Sequence, residues 1–128
     1  MLLLYLFSSS KPVSMKRFLL LALIAASFPA FSQNDLLIRY PAISTDGSLI
    51  SFSYQGDIWT VPATGGKATR LTVHEGYESN PVFSPDGKRI AFSGARYGNN
   101  DIFVIPSEGG SPKRLTYHSG NDMISSWS

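Results

Sequence analysis

Residues 80–94 read NPVFSPDGKRIAFSG, and residues 40–54 read YPAISTDGSLISFSY. Both stretches place a proline second, an Asp-Gly pair in the middle and an aromatic-Ser pair near the end. Two short alternating apolar runs joined by Ser-Pro-Asp-Gly predict a hairpin. Proline presets φ near −65°, aspartate bonds the backbone ahead of it, and glycine accepts positive φ. Because the pattern recurs, it is a repeat, and a repeat determines the architecture before any single residue does.

The register of the two copies changes once. Phe52 matches Phe92 at an offset of 40, whereas Asp57 matches Asp101 at an offset of 44. Four residues are therefore inserted within GARYGNN, residues 94–100, where Gly and Asn mark a loop that tolerates a change of length. Beyond it the match resumes: Pro62 with Pro106, Gly65-Gly66 with Gly109-Gly110, Arg70-Leu71-Thr72 with Arg114-Leu115-Thr116, His74 with His118 and Gly76 with Gly120. Trp127-Ser128 falls where Phe83-Ser84 fell, so a third copy begins there.

Each copy divides into four short strands at the spacing of an antiparallel meander. In the second copy they are expected at Val82–Ser84, Arg89–Ser93, Asp101–Ile105 and Lys113–Tyr117. Residues 36–40, LLIRY, read either as an outer strand completing another blade or as a lead-in to the first. No helix-period segment of useful length follows Ser32. Four strands every forty-odd residues are the unit of a β-propeller blade. The expected fold is all-β: a β-propeller fragment with blades at about 40–79 and 80–122 and a truncated third, within a domain spanning 33–128. One such sheet buries its faces only against neighbours, so Gln33–Ser128 alone is expected not to fold stably.

The first 32 residues read differently. From Met15 the chain runs MKRFLLLALIAASFPAFSQ, with two cations, an apolar stretch from Phe18 to Phe31, and Ala30 and Ser32 at the positions before a cleavage site. These are the parts of a secretory signal peptide, expected at 1–32 with Met15 as the true start. The apolar stretch is shorter than the roughly 20 residues of a membrane span, so no stable span is expected after cleavage. A periplasmic or secreted location follows. From Gln33 on, eight Lys/Arg face nine Asp/Glu, and no basic cluster suggests nucleic acid as a partner.

Few residues invite a chemical reading. No cysteine is present, nor a Gly-x-Ser-x-Gly elbow, a His-Glu-x-x-His pair or a phosphate-binding glycine-lysine loop, so no catalytic, metal or cofactor-binding residue is assigned and no cofactor is expected. His74 and His118 recur once per copy, which suits a turn better than a reaction. Asp57 and Asp101 open the third strand of each copy and are read as loop caps in preference to cation ligands. The loop Arg96–Asp101 belongs to the second copy alone; it reads as plain length variation or as a rim contact to a ligand or partner domain. Phe52, Trp59, Phe83, Phe92 and Phe103 alternate with polar residues and are expected to pack between blades.

The stretch FSPDGKRIAFSGARYGNNDIFVIPSEGGSPKRLTYHSG resembles the WD40-like propeller repeat, also called PD40, of TolB, tricorn-type proteases and prolyl-oligopeptidase-related peptidases. LLIRYPAISTDGSLISFSYQGDIWTVP followed by RLTYHSG is most similar to the opening blades of secreted tricorn-type peptidases, in which the propeller follows the leader directly. TolB is similar in its repeats but carries an α/β domain first. The tricorn resemblance implies a second propeller, a PDZ-like domain and an S41-type serine peptidase domain downstream. It also implies that peptide or protein substrates and those downstream domains are the partners of this segment. A TolB-like propeller that mediates protein contacts in the envelope is the alternative that the same repeat implies.

Overall fold

The computed structural model describes residues 37–128. The stretch read as a signal peptide, its expected cleavage site and Leu36 lie outside the described residues. Two four-stranded antiparallel sheets follow one another in sequence. The first has the order β1 (Arg39–Ile43), β2 (Leu49–Tyr54), β3 (Asp57–Pro62) and β4 (Thr69–Arg70). The second repeats it with β5 (Glu78–Phe83), β6 (Arg89–Gly94), β7 (Asp101–Pro106) and β8 (Lys113–Arg114). These are two blades of a β-propeller, with neither an α-helix nor a segment long and apolar enough to cross a membrane as a helix among the described residues.

The Asp-Gly hairpins close as their sequence demands. In the first, the Asp46 carboxylate accepts from the Ser44 hydroxyl at 2.7 Å and from the Ser48 N–H at 3.0 Å, while Gly47 takes a φ of 73°. In the second, Asp86 accepts from the Ser84 hydroxyl at 2.6 Å and from the Lys88 N–H at 3.0 Å, with Gly87 at 70°. A side chain at that φ would be strained, so glycine fixes the turn.

Two strands differ from expectation. The first strand of the second blade starts at Glu78, four residues before Val82, because a bulge between Ser79 and Val82 interrupts the alternation without ending the ladder. The fourth ends at Arg114, three residues before Tyr117. There the Thr116 hydroxyl takes over, accepting the Ile102 N–H at 2.9 Å in place of a backbone carbonyl. Thr72 does the same for Ile58 in the first blade. Arg39 and Tyr40 belong to β1, where Arg39 pairs with Ser53 of β2 and a bulge at Tyr40-Pro41 precedes the Ala42–Ser51 pair, so this part of LLIRY is the first strand of its own blade; Leu37 and Ile38 form the lead-in.

The core lies between the sheets. Each sheet has one large apolar face and one of small or mixed side chains. In the second blade, Phe83, Ile90, Phe92, Phe103 and Ile105 share the large face and are buried. They pack on the opposite face of the first blade, which presents Ile58, Ala42, Leu49 and, beyond β4, Leu71. Ser51, Ser53 and Thr60 are buried on that same face. The Ser53 hydroxyl donates to the Glu78 carbonyl at 2.6 Å, joining the blades across the interface. Because large meets small, the packing is head to tail, the arrangement that propagates around a ring. β5 packs against β1, β2 and β3, whereas the outer strands β4 and β8 do not touch. The blades therefore converge on their first strands and splay outward, which places the propeller axis beside β1 and β5.

Candidate functional site

The meander gives each blade two edges with different chemistry. The Asp46 and Asp86 hairpins and the β3–β4 and β7–β8 turns share one edge. The Gln55-Gly56 turn, the inserted loop and the connections leaving β4 and β8 share the other.

On the first edge, a cleft of about 420 Å³ runs between the two blades, lined in part by Asp46, Asp86, Lys88 and Glu108. Both aspartates are committed to their turns. Donation from Ser44, then from Ser48, holds the Asp46 carboxyl at about 2, well below its ordinary 3.8. Donation from Ser84 and then from the Lys88 backbone lowers Asp86 as well.

The second edge carries the residues that sequence singled out. Asp57 is buried; its carboxylate accepts from the Arg70 guanidinium and from the His74 N–H at 3.1 Å. Asp101 is also buried and lies 2.7 Å from Arg114 Nη2, with Asn99 Nδ2 at 3.5 Å on its other oxygen. Each aspartate thus ties the start of the third strand to the fourth, and Asp57 also reaches the connection beyond it. The histidines serve their own loops: His74 Nδ1 accepts the Gly76 N–H at 2.9 Å and His118 Nδ1 the Gly120 N–H at 3.3 Å. Asp57 meets the backbone of His74 and its ring faces Gly76, so no acid-base-nucleophile relay is assembled there. Among the described residues no group of three or more His, Cys, Asp or Glu side chains is placed to hold a metal ion.

The inserted loop is a clamp. Arg96 reaches Glu78, which is fully buried, with Nε 2.7 Å and Nη2 2.6 Å from the same carboxylate oxygen. Its guanidinium lies 5.1 Å from the centre of the Phe103 ring. Gly94 leaves room for Phe103 and Glu78, since a Cβ there would sit 3.3 Å from the Phe103 ring and 3.6 Å from Glu78 Cγ. Asn99 Nδ2 donates to the carbonyls of His118 at 2.9 Å and Gly120 at 2.6 Å. The Asn100 N–H donates to the Asn121 side chain at 2.9 Å, and the Asn100 carbonyl accepts the Asp122 N–H at 2.7 Å. The shorter first-blade turn makes only the last of these contacts, with Gly56 accepting the Glu78 N–H. Tyr97 and Tyr117 flank Arg114, their centroids 4.5 and 4.8 Å from its guanidinium carbon, and both rings are exposed.

Sequence reading missed two of these arrangements. Glu78 has no counterpart in the first copy, where Ile38 stands, so the repeat concealed its pairing with Arg96. The Asp57–Arg70 and Asp101–Arg114 pairs did leave a signal, an acid and a base recurring thirteen residues apart in both copies.

Stacked meander blades with hydrogen-bonded turns and an aromatic rim define a WD40-like β-propeller. Residues 35–128 match the tricorn protease N-terminal β-propeller domain, and the chain belongs to that family. In sequence it is 43% identical over 65 residues to the Tol-Pal system protein TolB of Francisella tularensis subsp. mediasiatica, an alignment covering 48% of this chain and 15% of that protein. It is 36% identical over 61 residues to tricorn protease homolog 1 of Streptomyces coelicolor, covering 48% and 6%. Among solved structures, a putative TolB from Agrobacterium tumefaciens superimposes with a TM-score of 0.64 at 29% identity, over 70% of this chain and 34% of that one. The tricorn protease superimposes with a TM-score of 0.59 at 30% identity, over 67% and 8%. The chain thus spans a small part of each relative's length.

Proposed function

We propose that this chain is the amino-terminal propeller segment of a secreted, tricorn-like serine peptidase. In this reading residues 1–32 are a signal peptide and 33–128 are blades that dock peptide or protein substrates and control their access to a catalytic serine elsewhere in the polypeptide. The location is periplasmic or extracellular. The observation that carries the reading is the unbroken match of residues 35–128 to the tricorn amino-terminal propeller. The described edges support a docking role in a simple way. The carboxylates of Asp46, Asp57, Glu78, Asp86 and Asp101 and both imidazoles are engaged in turns and ion pairs, while Tyr97 and Tyr117 stand exposed.

A second reading, a non-enzymatic TolB-like propeller that binds proteins in the cell envelope, is favoured by the higher sequence identity to TolB and by its higher TM-score. One experiment separates the two. The complete open reading frame containing this segment is expressed with its leader, recovered from the periplasm and assayed on fluorogenic peptides. The peptidase reading expects hydrolysis that falls by about 10³-fold or more when one serine outside the propeller is replaced by alanine. A purified protein without hydrolysis that captures an envelope protein supports the TolB-like reading and rejects the first.

A further inference from the structure

Tyr97 and Tyr117, 64% and 72% exposed, meet across one guanidinium on the second edge. Neither ring is loose. Tyr97 lies at 21° to the Phe103 ring with centroids 6.3 Å apart, and the Tyr117 hydroxyl donates to the Arg114 carbonyl at 3.0 Å. Arg114 is itself fixed by Asp101. Exposed rings that the protein already holds in place let a ligand stack on them at little ordering cost.

Position 117 stays open when a blade follows it. Its counterpart in the first copy is Val73, which is still 74% exposed with the second blade seated beside it. Packing therefore does not account for an aromatic ring at Tyr117. Tyr97 belongs to the inserted loop, so the paired rings are a feature of the second blade and not of the repeat.

The polar side chains joined to this pair are amides and an imidazole. Asn99 spends Nδ2 on the His118 and Gly120 carbonyls, which leaves Oδ1 to accept. His118 accepts the Gly120 N–H through Nδ1, which places its ring proton on Nε2 as a donor. Asn121 accepts the Asn100 N–H through Oδ1, which leaves Nδ2 to donate. His118 and Asn121 are exposed, and Asn99 is half-buried.

We propose that Tyr97, Tyr117 and these three side chains bind a neutral glycan, with one pyranose stacked on the Tyr117 ring. The polarised C–H groups on a sugar face suit the electron-rich face of a phenol. Sugar hydroxyls both donate and accept, which suits a mixed set of amide and imidazole groups. An acidic sugar finds no cation to meet, because Arg114 is committed to Asp101 and the next charged residue of the connection is Asp122. An extended peptide would draw on a free strand edge, and β8 stops at Arg114, short of these groups. The site is separate from the peptide-docking role proposed above and stands with or without it.

The test titrates the full-length protein calorimetrically with maltohexaose, cellohexaose and chitohexaose, and follows folding by thermal melting. The wild type is expected to bind at least one of them. Tyr117→Val installs the first blade's residue and is expected to weaken that binding about tenfold with the melting temperature unchanged. Tyr117→Phe keeps the ring and is expected to stay within about twofold of the wild type. Val73→Ser on the first blade is expected to change nothing. A wild type that binds none of the three sugars overturns the proposal, as does binding that Tyr117→Val leaves intact. An equal loss in Tyr117→Phe and Tyr117→Val overturns the stacking. A proline-rich decapeptide titrated in parallel reads the rival class: peptide binding without sugar binding, lost in Tyr117→Val, overturns the glycan assignment.

Discussion

The two blades share one backbone plan but not one environment. Ile43 and Phe83 occupy equivalent positions, yet Ile43 is 61% exposed and Phe83 7%. Ile50, Trp59 and Val61 are half-buried where Ile90, Phe103 and Ile105 are buried. The second blade's large face rests on the first blade. The first blade's large face borders an apolar hollow of about 310 Å³ lined by Ile38, Phe52, Tyr54, Trp59, Val61 and Ala68. Repetition of sequence thus fixes the shape of a blade, while its stability is set by what lies against it.

The largest test of this contrast is truncation of the matched apolar positions in the full-length protein. Phe92 is fully buried and stacks on Phe103 with centroids 5.7 Å apart. Phe92→Ala is expected to cost about 3–5 kcal/mol by chemical denaturation. Ile43→Ala is expected to cost about 2–5 kcal/mol as well, because closure of the ring in the full-length protein lays another blade on that face. A cost at Ile43 below about 1 kcal/mol would mean that no blade seals the first one's large face.

This difference also marks what the sequence could disclose. Phe52, Phe92 and the Asp-Gly turns announced the repeat because hairpins are set by residues a few positions apart. The assignment of Asp57 and Asp101 to the starts of third strands likewise followed from short-range pattern. The bulges at Tyr40-Pro41 and Asn80-Pro81 were hidden, because an extra residue in one strand is defined by its register against another. The clamp formed by Arg96, Asn99 and Asn100 was hidden for a related reason. Its partners at residues 78 and 118–122 lie some twenty positions away, and an insertion unique to one copy has no internal comparison.

The second test compares ion pairs, again one per blade. Arg96 is 14% exposed and its partner Glu78 is fully buried. Arg96→Met removes the cation and strands a carboxylate in the interior, with an expected cost of about 3 kcal/mol. Arg70 is 43% exposed, so solvent screens its attraction to Asp57, and the His74 N–H still serves that carboxylate after the change. Arg70→Met is therefore expected to cost about 1 kcal/mol or less. Equal losses in the two variants would show that the inserted loop adds nothing beyond what the shorter turn already provides. A Glu78→Gln, Arg96→Met double variant should recover much of the larger loss, because it leaves no buried charge unpaired.

The smallest effect lies in the hairpins and concerns acid. Asp46 receives two serine hydroxyls and the Ser48 N–H, whereas Asp86 receives one hydroxyl and the Lys88 N–H. The carboxyl of Asp46 titrates at about 2 in the folded chain, against an ordinary value of 3.8. A folded value below the unfolded one means that the ionised carboxylate favours folding. That contribution is complete above the ordinary value and disappears as pH falls through the window from about 4 to about 2. Asp86 is lowered for the same reason, with Ser84 as the main donor. In a series of melting temperatures between pH 5 and pH 2, Asp46→Asn should flatten the acid limb, since its amide does not titrate. Ser48→Lys, which gives the first turn the residue of the second, should flatten it partway by removing one hydroxyl donor. An acid limb unchanged by Asp46→Asn would mean that the Ser44 and Ser48 bonds do not favour the ionised form. The difference between the two hairpins would then lie in their neighbours and not in their donors.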